Sequence, residues 1–171
     1  KVSGWYGNTG VLVRAFTYML SMGGDGLKAA SDTAVLNANY LFSSLKDLYE
    51  APYPGPCKHE FVLSAKGLKD STGVSAMDVA KGLIEYGIHP PTVYFPLIVP
   101  ECLMIEPTET ETRESLDNFI TVMKEIRELA DHDPEALHEL PRSTSVRRVD
   151  EVRAARHPVL SHMMIADRPD D

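Results

Sequence analysis

The sequence lacks most features of secreted, membrane-spanning or disulfide-stabilised proteins. It begins with Lys1 instead of Met, and residues 1–8 contain no apolar core of a signal peptide. Its longest apolar runs are interrupted by proline or charge, so none is long enough to cross a bilayer. The two cysteines, Cys57 and Cys102, lie far apart and form no Cys-x-x-Cys motif. We therefore expect a reduced, cytoplasmic chain that is a detached part of a larger protein.

Metal-binding and nucleophile motifs are also missing. No two of the six histidines have the spacing of a His-x-x-x-His or His-Glu-x-x-His site, and no cysteine pair assists them. There is no Gly-x-Ser-x-Gly elbow. The glycines Gly4, Gly7 and Gly10 lack the Gly-x-Gly core of a phosphate loop, which favours an ordinary loop before a helix.

Charge is unevenly distributed along the 171 residues. Residues 1–100 hold equal numbers of basic and acidic side chains, so the net charge of −8 comes entirely from residues 101–171. Nucleic-acid binding requires basic side chains that neutralise phosphates. An acidic surface therefore argues against a nucleic-acid partner, and the broken apolar runs argue against a membrane partner.

Helical periodicity dominates the first 50 residues. The apolar run 11–20 suits a mostly buried helix, and the glycine-rich segment 23–26 predicts a turn. Apolar residues at helical spacing predict a second, long helix from Leu27 to Tyr49, ended by the proline-rich segment 51–56.

Short strands alternate with helices in the next 90 residues. Strands are predicted at 58–64, 92–95 and 102–106, with prolines at their limits. Ser75-x-x-Asp78 and Thr108-x-x-Glu111 both resemble capping boxes at helix starts, and Gly87 resembles a helix C-terminal glycine. A helix follows Pro107, and Pro134 begins a short helix that reaches Leu140. The order predicts an α+β fold with helices packed on one face of a small antiparallel or mixed sheet.

We predict three parts. Residues 1–50 form inter-domain helices that lead into a small domain, residues 51–140 form the α+β small domain, and residues 141–171 form a C-terminal extension. The arginines of the extension alternate with acidic residues, and its last residues, 166–171, have the composition of a loose terminus.

Three segments concentrate residues that could carry chemistry: 57–61, 89–96 and 106–111. The acidic run that begins at Glu106 could attract a divalent cation, but a solvated helix N-terminus is favoured, because carboxylates there complement the helix dipole. His59, at a predicted strand start, could act as acid, base or hydrogen-bond donor, or could be a structural histidine. Its neighbour Glu60 points to the opposite strand face, so the two form no local pair. In the segment 90–96, prolines surround Thr92, Tyr94 and Phe95, which gives either a rigid, part-aromatic surface or a stiff connection with core aromatics.

Several ordered motifs resemble the C-terminal part of the glycine cleavage system P-protein, glycine dehydrogenase (decarboxylating). The resemblance covers about residues 4–130, and the segment 95–102 is more similar to subunit 2 of the two-subunit bacterial enzyme than to the single-chain form. The motifs are Gly7-Asn8-Thr9-Gly10-Val11-Leu12-Val13-Arg14-Ala15, Ala34-Val35-Leu36-Asn37-Ala38-Asn39-Tyr40-Leu41, Cys57-Lys58-His59-Glu60-Phe61-Val62, Asp78-Val79-Ala80-Lys81-Gly82-Leu83, Tyr86-Gly87-Ile88-His89-Pro90-Pro91-Thr92 and Leu103-Met104-Ile105-Glu106-Pro107-Thr108-Glu109.

The resemblance implies the small C-terminal domain of a fold-type-I pyridoxal phosphate (PLP) enzyme. The family's PLP supports glycine decarboxylation, with release of CO2, and the aminomethyl group passes to the lipoyl arm of the H-protein. The implied partners are glycine dehydrogenase subunit 1, lipoylated H-protein and a second copy of subunit 2 in a heterotetramer.

The resemblance also implies which residues face the substrate. The family's Schiff-base lysine lies in a His-Lys motif of the large domain; this sequence has Lys58-His59 in the reverse order and no His-Lys motif. We therefore expect no catalytic or cofactor-binding residue here, and an isolated chain that neither binds PLP covalently nor turns over glycine. The expected substrate-binding residues, which shape the pocket without transferring protons, are His59, Thr92, Tyr94, Phe95 and Thr108.

Two other interpretations remain open. The chain could be the small domain of another fold-type-I PLP enzyme, an aminotransferase or a cysteine desulfurase, which would require different motifs around the second and third strands. It could also be a non-catalytic α+β interaction domain. The apolar helix 11–20 counts against a free domain, because such a surface requires a partner when it is exposed.

Overall fold

A computed structural model describes residues 7–166 of the chain. Helices provide most of the secondary structure, and three short strands form one small sheet. The elements, in chain order, are α1 (Thr9–Leu45), β1 (Phe61–Ser64), α2 (Lys66–Thr72), α3 (Ala76–Glu85), β2 (Thr92–Val93), β3 (Cys102–Ile105), α4 (Arg113–His132), α5 (Pro134–His138), α6 (Glu151–Arg156) and α7 (Met163–Ala166).

The sheet is antiparallel throughout, with strand order β1-β3-β2. Phe61 pairs with Ile105 and Leu63 with Leu103, and all four are buried on the face that packs against the helices. The other face carries the row Val62–Met104–Thr92, which is half-buried to exposed. The expected α+β fold is therefore confirmed.

All three strands are shorter than the sequence predicts. Residues 58–60 precede β1 as bends and irregular chain, and β2 contains only two residues because the backbone turns at Tyr94. Tyr94 has a positive φ of 60° and Glu101 one of 47°, so both lie in the left-handed region that ends regular pairing.

The first two predicted helices form one element with a kink. Asn8 caps α1 by accepting a hydrogen bond from the Val11 amide at 3.2 Å, and Gly23, at φ 63° and ψ −178°, breaks the helical conformation where a turn was expected. The helix ends at Leu45 instead of Tyr49, because a turn follows.

The predicted burial of residues 11–20 is wrong. Every residue of this run is exposed, including Phe16 at 59% and Leu20 at 68% of their surface, because no element of the described residues packs against it. Only the C-terminal half of α1 enters the core, through Ala38, Leu41 and Leu45.

Helix α3 begins and ends as predicted. Ser75 and Asp78 form the reciprocal capping box, in which each side chain accepts from the other's backbone N–H. At the other end, the Gly87 amide bonds the Ile84 carbonyl and the Ile88 amide bonds the Leu83 carbonyl. This termination requires the positive φ of 72° that glycine adopts without strain.

The second predicted capping box is wrong. Thr112, not Thr108, caps α4, and its side chain accepts from the Ser115 amide at 3.1 Å. The Glu111 carboxylate instead accepts from the Ser115 hydroxyl at 2.6 Å. Residues 108–111 form a turn, in which the Glu111 amide donates to the Thr108 carbonyl.

Three further differences concern short helices. Helix α2 was not predicted, because Leu68 is its one buried residue and gives no apolar periodicity. Helix α5 ends at His138 instead of Leu140. The extension contains α6 and α7, while the expectations for Gly4 and residues 167–171 lie outside the described part. Within residues 7–166, no helix combines the length and apolarity needed to cross a membrane.

Candidate functional site

The antiparallel pairing gathers three chain segments at one end of the sheet. Phe61, the first residue of β1, pairs with Ile105, the last residue of β3, and Thr92 begins β2 opposite Met104. The segments before β1, before β2 and after β3 therefore meet. This end, which we call the loop end, brings together His59, Thr92 and Thr108 of the predicted site.

His59 faces a carboxylate across the loop end. Its Nε2 lies 3.7 Å from Oε1 of Glu106, the residue after β3, and each side chain keeps about half of its surface exposed. The partner of His59 thus comes from the segment that follows the neighbouring strand β3. Glu106 itself was absent from the predicted site, although the pairing of β1 with β3 would have indicated it.

Thr108 is exposed, but its backbone is fixed. Its carbonyl accepts a hydrogen bond from Nδ2 of Asn37 at 2.9 Å, and its hydroxyl lies 2.6 Å from that of Thr110. Thr92 is exposed on the open face of the sheet beside Met104. Each threonine carries a hydroxyl that can donate and accept a hydrogen bond.

The two aromatic residues of the predicted site lie at the other end of β2. The Tyr94 amide donates to the Cys102 carbonyl at 2.9 Å, and the Cys102 thiol donates to the Phe95 carbonyl at 2.9 Å. Tyr94 is 40% and Phe95 55% exposed, so they form an aromatic surface instead of core aromatics. Because β2 is so short, this surface begins only about 7 Å along the strand from Thr92.

Two clefts flank the sheet. A cleft of about 390 Å³ lies between α1, α4 and the loop end, and its polar lining includes His89, Glu106, Glu111 and Ser115. A second cleft, of about 320 Å³, opens on the uncovered sheet face and is lined by Cys57, Glu60, Val62, Pro96 and Met104. Neither of these two clefts is lined by lysine or arginine.

The thiols do not form an activated nucleophile. Both cysteines are free. Burial raises the pKa of the Cys57 thiol, and burial raises the pKa of the Cys102 thiol to about 11, so both are protonated near neutral pH. Among residues 7–166, no group of three or more His, Cys, Asp or Glu side chains could hold a metal ion.

Comparison with protein families gives a match over two thirds of the chain. Residues 30–143 match the family model described as "Glycine dehydrogenase, C-terminal domain". This region extends from the C-terminal half of α1 through α5 and includes all five residues of the predicted site.

Curated relatives share about half of the residues. "Probable glycine dehydrogenase (decarboxylating) subunit 2" of Listeria innocua is 54% identical over 162 residues, which are 95% of this chain and 33% of that protein. The protein of the same name from Bacillus velezensis is 53% identical over 167 residues, 98% of this chain and 34% of that protein. The chain thus spans about a third of the length of the curated relatives it matches.

The fold is also similar to that of a solved structure. A crystal structure of glycine decarboxylase (P-protein) of the glycine cleavage system, in inhibitor-bound form, superposes with a TM-score of 0.55 and 22% sequence identity. The match covers 64% of this chain and 24% of the solved chain. With a family model matched over two thirds of its residues, the chain belongs to the glycine dehydrogenase C-terminal domain family.

Proposed function

We propose that the chain is part of a PLP-dependent glycine decarboxylase. The parent enzyme, a glycine dehydrogenase (aminomethyl-transferring), releases CO2 from glycine and transfers the remaining aminomethyl group to the lipoyl arm of H-protein. The observation that carries this proposal is the 54% identity to a probable glycine dehydrogenase (decarboxylating) subunit 2 over 95% of the chain. In this proposal, the chain supplies part of the wall of the substrate pocket and is inactive on its own.

The described residues of this chain do not form a site that could hold PLP covalently. A Schiff base requires a lysine inside the pocket, and neither described cleft is lined by one. Lys58, next to His59, is exposed, and the sequence has no His-Lys motif. Our proposal therefore assigns the cofactor lysine, and with it the chemical steps, to another part of the parent enzyme.

What this chain contributes is a surface at the loop end and beside it. His59, Thr92 and Thr108 present hydrogen-bonding groups, and Tyr94 with Phe95 presents exposed aromatic area close by. Such a surface orients a small polar substrate and keeps water from it when another domain closes over it. These five residues form the glycine and lipoyl-arm pocket together with residues outside this chain.

The relatives' names include "subunit 2", and this supports glycine dehydrogenase subunit 1 as a partner. We extend the proposal to lipoylated H-protein as the second substrate and to a heterotetramer with a second copy of subunit 2. The place of action in this proposal is the cytoplasm. The exposed apolar run 11–20 is consistent with assembly, since such a surface is stabilised by a partner.

A segment exchange tests the proposal in an intact enzyme. The matching third of the Listeria innocua subunit 2 is replaced by this chain, and the chimera is combined with subunit 1 and lipoylated H-protein. We expect release of CO2 from carboxyl-labelled glycine at a rate within about tenfold of the unaltered relative, a loss of at most about 1.4 kcal/mol in transition-state stabilisation. The control is a chimera in which the same third of the Listeria innocua subunit 2 is replaced by the matching segment of the Bacillus velezensis protein.

A negative result is informative only when the chimera is folded. Circular dichroism and bound PLP are therefore measured first. A chimera that is folded and holds PLP, but releases no CO2 while the control exchange does, would overturn the proposal.

A further inference from the structure

The C-terminal half of α1 carries two asparagines on either side of Ala38, which is fully buried. Residues two apart on a helix are rotated by about 200°, so Asn37 and Asn39 leave the helix on different sides. Each side chain reaches a different loop of the loop end. Asn39 Nδ2 also donates to the Val35 carbonyl within the helix at 2.8 Å, but the bonds to the two loops join residues that are distant in sequence, so no local pattern indicates them.

Asn37 holds the segment after β3. Its side chain is buried, with 7% of the residue exposed, and Nδ2 donates to the Thr108 carbonyl at 2.9 Å and to the Glu111 carbonyl at 3.4 Å. A buried amide that loses its partners costs about 1–3 kcal/mol. This cost keeps the turn 108–111 in place against the helix.

Asn39 holds the segment before β1. Its Nδ2 donates to the Cys57 carbonyl at 2.8 Å, while its Oδ1 accepts from the Cys57 amide at 3.1 Å. This reciprocal pair holds the N–H and the C=O of one residue, Cys57, and so fixes the two successive peptide units that flank its Cα, as a pair of ladder bonds does in a sheet. The fixed residue lies two positions before His59.

One short stretch of helix therefore anchors the two loops that carry His59 and Thr108. The asparagines bond only backbone groups there, so the site side chains remain available. Between the two anchored loops, His59 and Glu106 come within 3.7 Å of each other.

We infer that Asn37 and Asn39 are positioning residues, which set the separation of the two loops and thereby the shape of the glycine pocket. This inference rests on the proposed function. A small displacement of pocket groups lowers catalytic efficiency strongly, because binding and orientation depend on geometry.

The test uses Asn37→Asp and Asn39→Asp in the segment-exchange enzyme with its partner proteins. Both changes keep the size of the side chain and remove the amide donor. We expect the KM for glycine to rise about tenfold in enzyme of unchanged PLP content, with faster hydrogen exchange in residues 55–61 for Asn39→Asp and 107–112 for Asn37→Asp. Asn39→Gln, which keeps the amide, restores part of the affinity.

Asn8→Asp is the matched control. It makes the same chemical change on the same helix, and aspartate caps a helix as well as asparagine, so KM and exchange at both loops stay unchanged. If Asn37→Asp does not fold, Asn37→Ser and Asn39→Asp carry the test.

The outcomes separate this inference from the proposed function. If KM and loop exchange are unchanged in the asparagine variants while the urea midpoint falls, the residues are structural only and the inference is overturned. If the unsubstituted chimera is folded, holds PLP and releases no CO2, the proposed function is overturned. Asn37 and Asn39 then have no catalytic role to support, whatever the hydrogen-exchange data show.

Discussion

Arg148 of the C-terminal extension binds the buried carboxylate that caps α3. Its Nη1 lies 2.7 Å from Oδ1 of Asp78, which is only 5% exposed. The same guanidinium donates to the Leu137 and Leu140 carbonyls at 3.0 and 2.8 Å, which ties residue 148 to the end of α5. The fork-shaped Arg148 side chain thus attaches the beginning of the extension to α3 and α5, beside the hydrogen bonds that Arg142 and Ser143 make to Glu85.

The first prediction concerns this arginine. Replacing it, Arg148→Met, removes the guanidinium from the buried Asp78 carboxylate, which keeps Ser75 and the His138 ring as neighbours, and leaves two carbonyls without this donor. The free energy of unfolding therefore falls by about 2 kcal/mol. Urea unfolding followed by circular dichroism measures the change. The neighbouring Arg147→Met is the control, because Arg147 is exposed and has no recorded ion pair in the described structure, and it changes stability by less than about 0.5 kcal/mol. Equal effects of the two variants would contradict the anchoring role.

The second prediction is a pH dependence. Burial alone raises the pKa of Asp78, but hydrogen bonds from Ser75 and the ion pair with Arg148 outweigh it and lower the pKa below its ordinary value. Because the folded-state pKa is the lower one, the stabilisation is complete above pH about 4 and is lost as the pH falls through the folded-state pKa.

Asp78→Asn should therefore be less stable than the unsubstituted protein at pH 7 and approach its stability at low pH. Urea midpoints measured from pH 7 to 3 give the comparison. Asp70→Asn serves as control, since its pair with Lys66 is exposed and contributes little. A difference between Asp78→Asn and the unsubstituted protein that is constant with pH would show that the carboxylate's charge is not involved.

The sequence predicted what depends on local chemistry. The Ser75–Asp78 box and the Gly87 termination follow from hydrogen bonds within a few residues, so the pattern was sufficient. The predicted capping box at Thr108 and Glu111 was wrong, because a distant side chain, Asn37, binds the backbone carbonyls of these two residues.

Burial and the partners of site residues could not be predicted in the same way. The run 11–20 has the composition of a core helix, but burial requires a covering element, and none of the described residues supplies one. His59, Thr92 and Thr108 were predicted to share one site only because of the family resemblance, and not from any local sequence pattern. The contact of His59 with Glu106 depends on strand register, which is a tertiary property.

The third prediction tests how α3 packs on α4. A Cβ at Gly82 would lie 3.0 Å from Cδ1 of buried Ile126 and 3.5 Å from Cδ2 of Leu137, so Gly82→Ala requires the core to shift. Overpacking outweighs the helix propensity of alanine, and the free energy of unfolding falls by about 1 kcal/mol. Gly67→Ala on α2 meets no atom within 4 Å and should stabilise by about 0.5 kcal/mol. Thermal unfolding of the two variants decides; a stabilised Gly82→Ala would contradict this packing.

The fourth prediction concerns the candidate pocket. His59→Ala and Tyr94→Phe, made in the complete enzyme, should each lower kcat/KM for glycine or for H-protein, by about tenfold for the histidine. His59 loses its hydrogen-bonding ring beside Glu106, and Tyr94 loses a hydroxyl from an exposed aromatic surface. His132→Ala is the control, because that ring bonds the Glu128 carbonyl within α4, away from the loop end. Unchanged kinetics in both pocket variants would exclude these residues from substrate binding.

The central claim is that this chain supplies a pocket wall to a glycine decarboxylase whose cofactor lysine lies elsewhere. The most direct measurement is the release of CO2 from carboxyl-labelled glycine in the presence of subunit 1 and lipoylated H-protein. We predict release by the chimera that carries this chain in place of the matching third of a curated relative, and none by this chain alone. A folded, PLP-containing chimera that releases no labelled CO2, or release by the chain alone, would contradict the account.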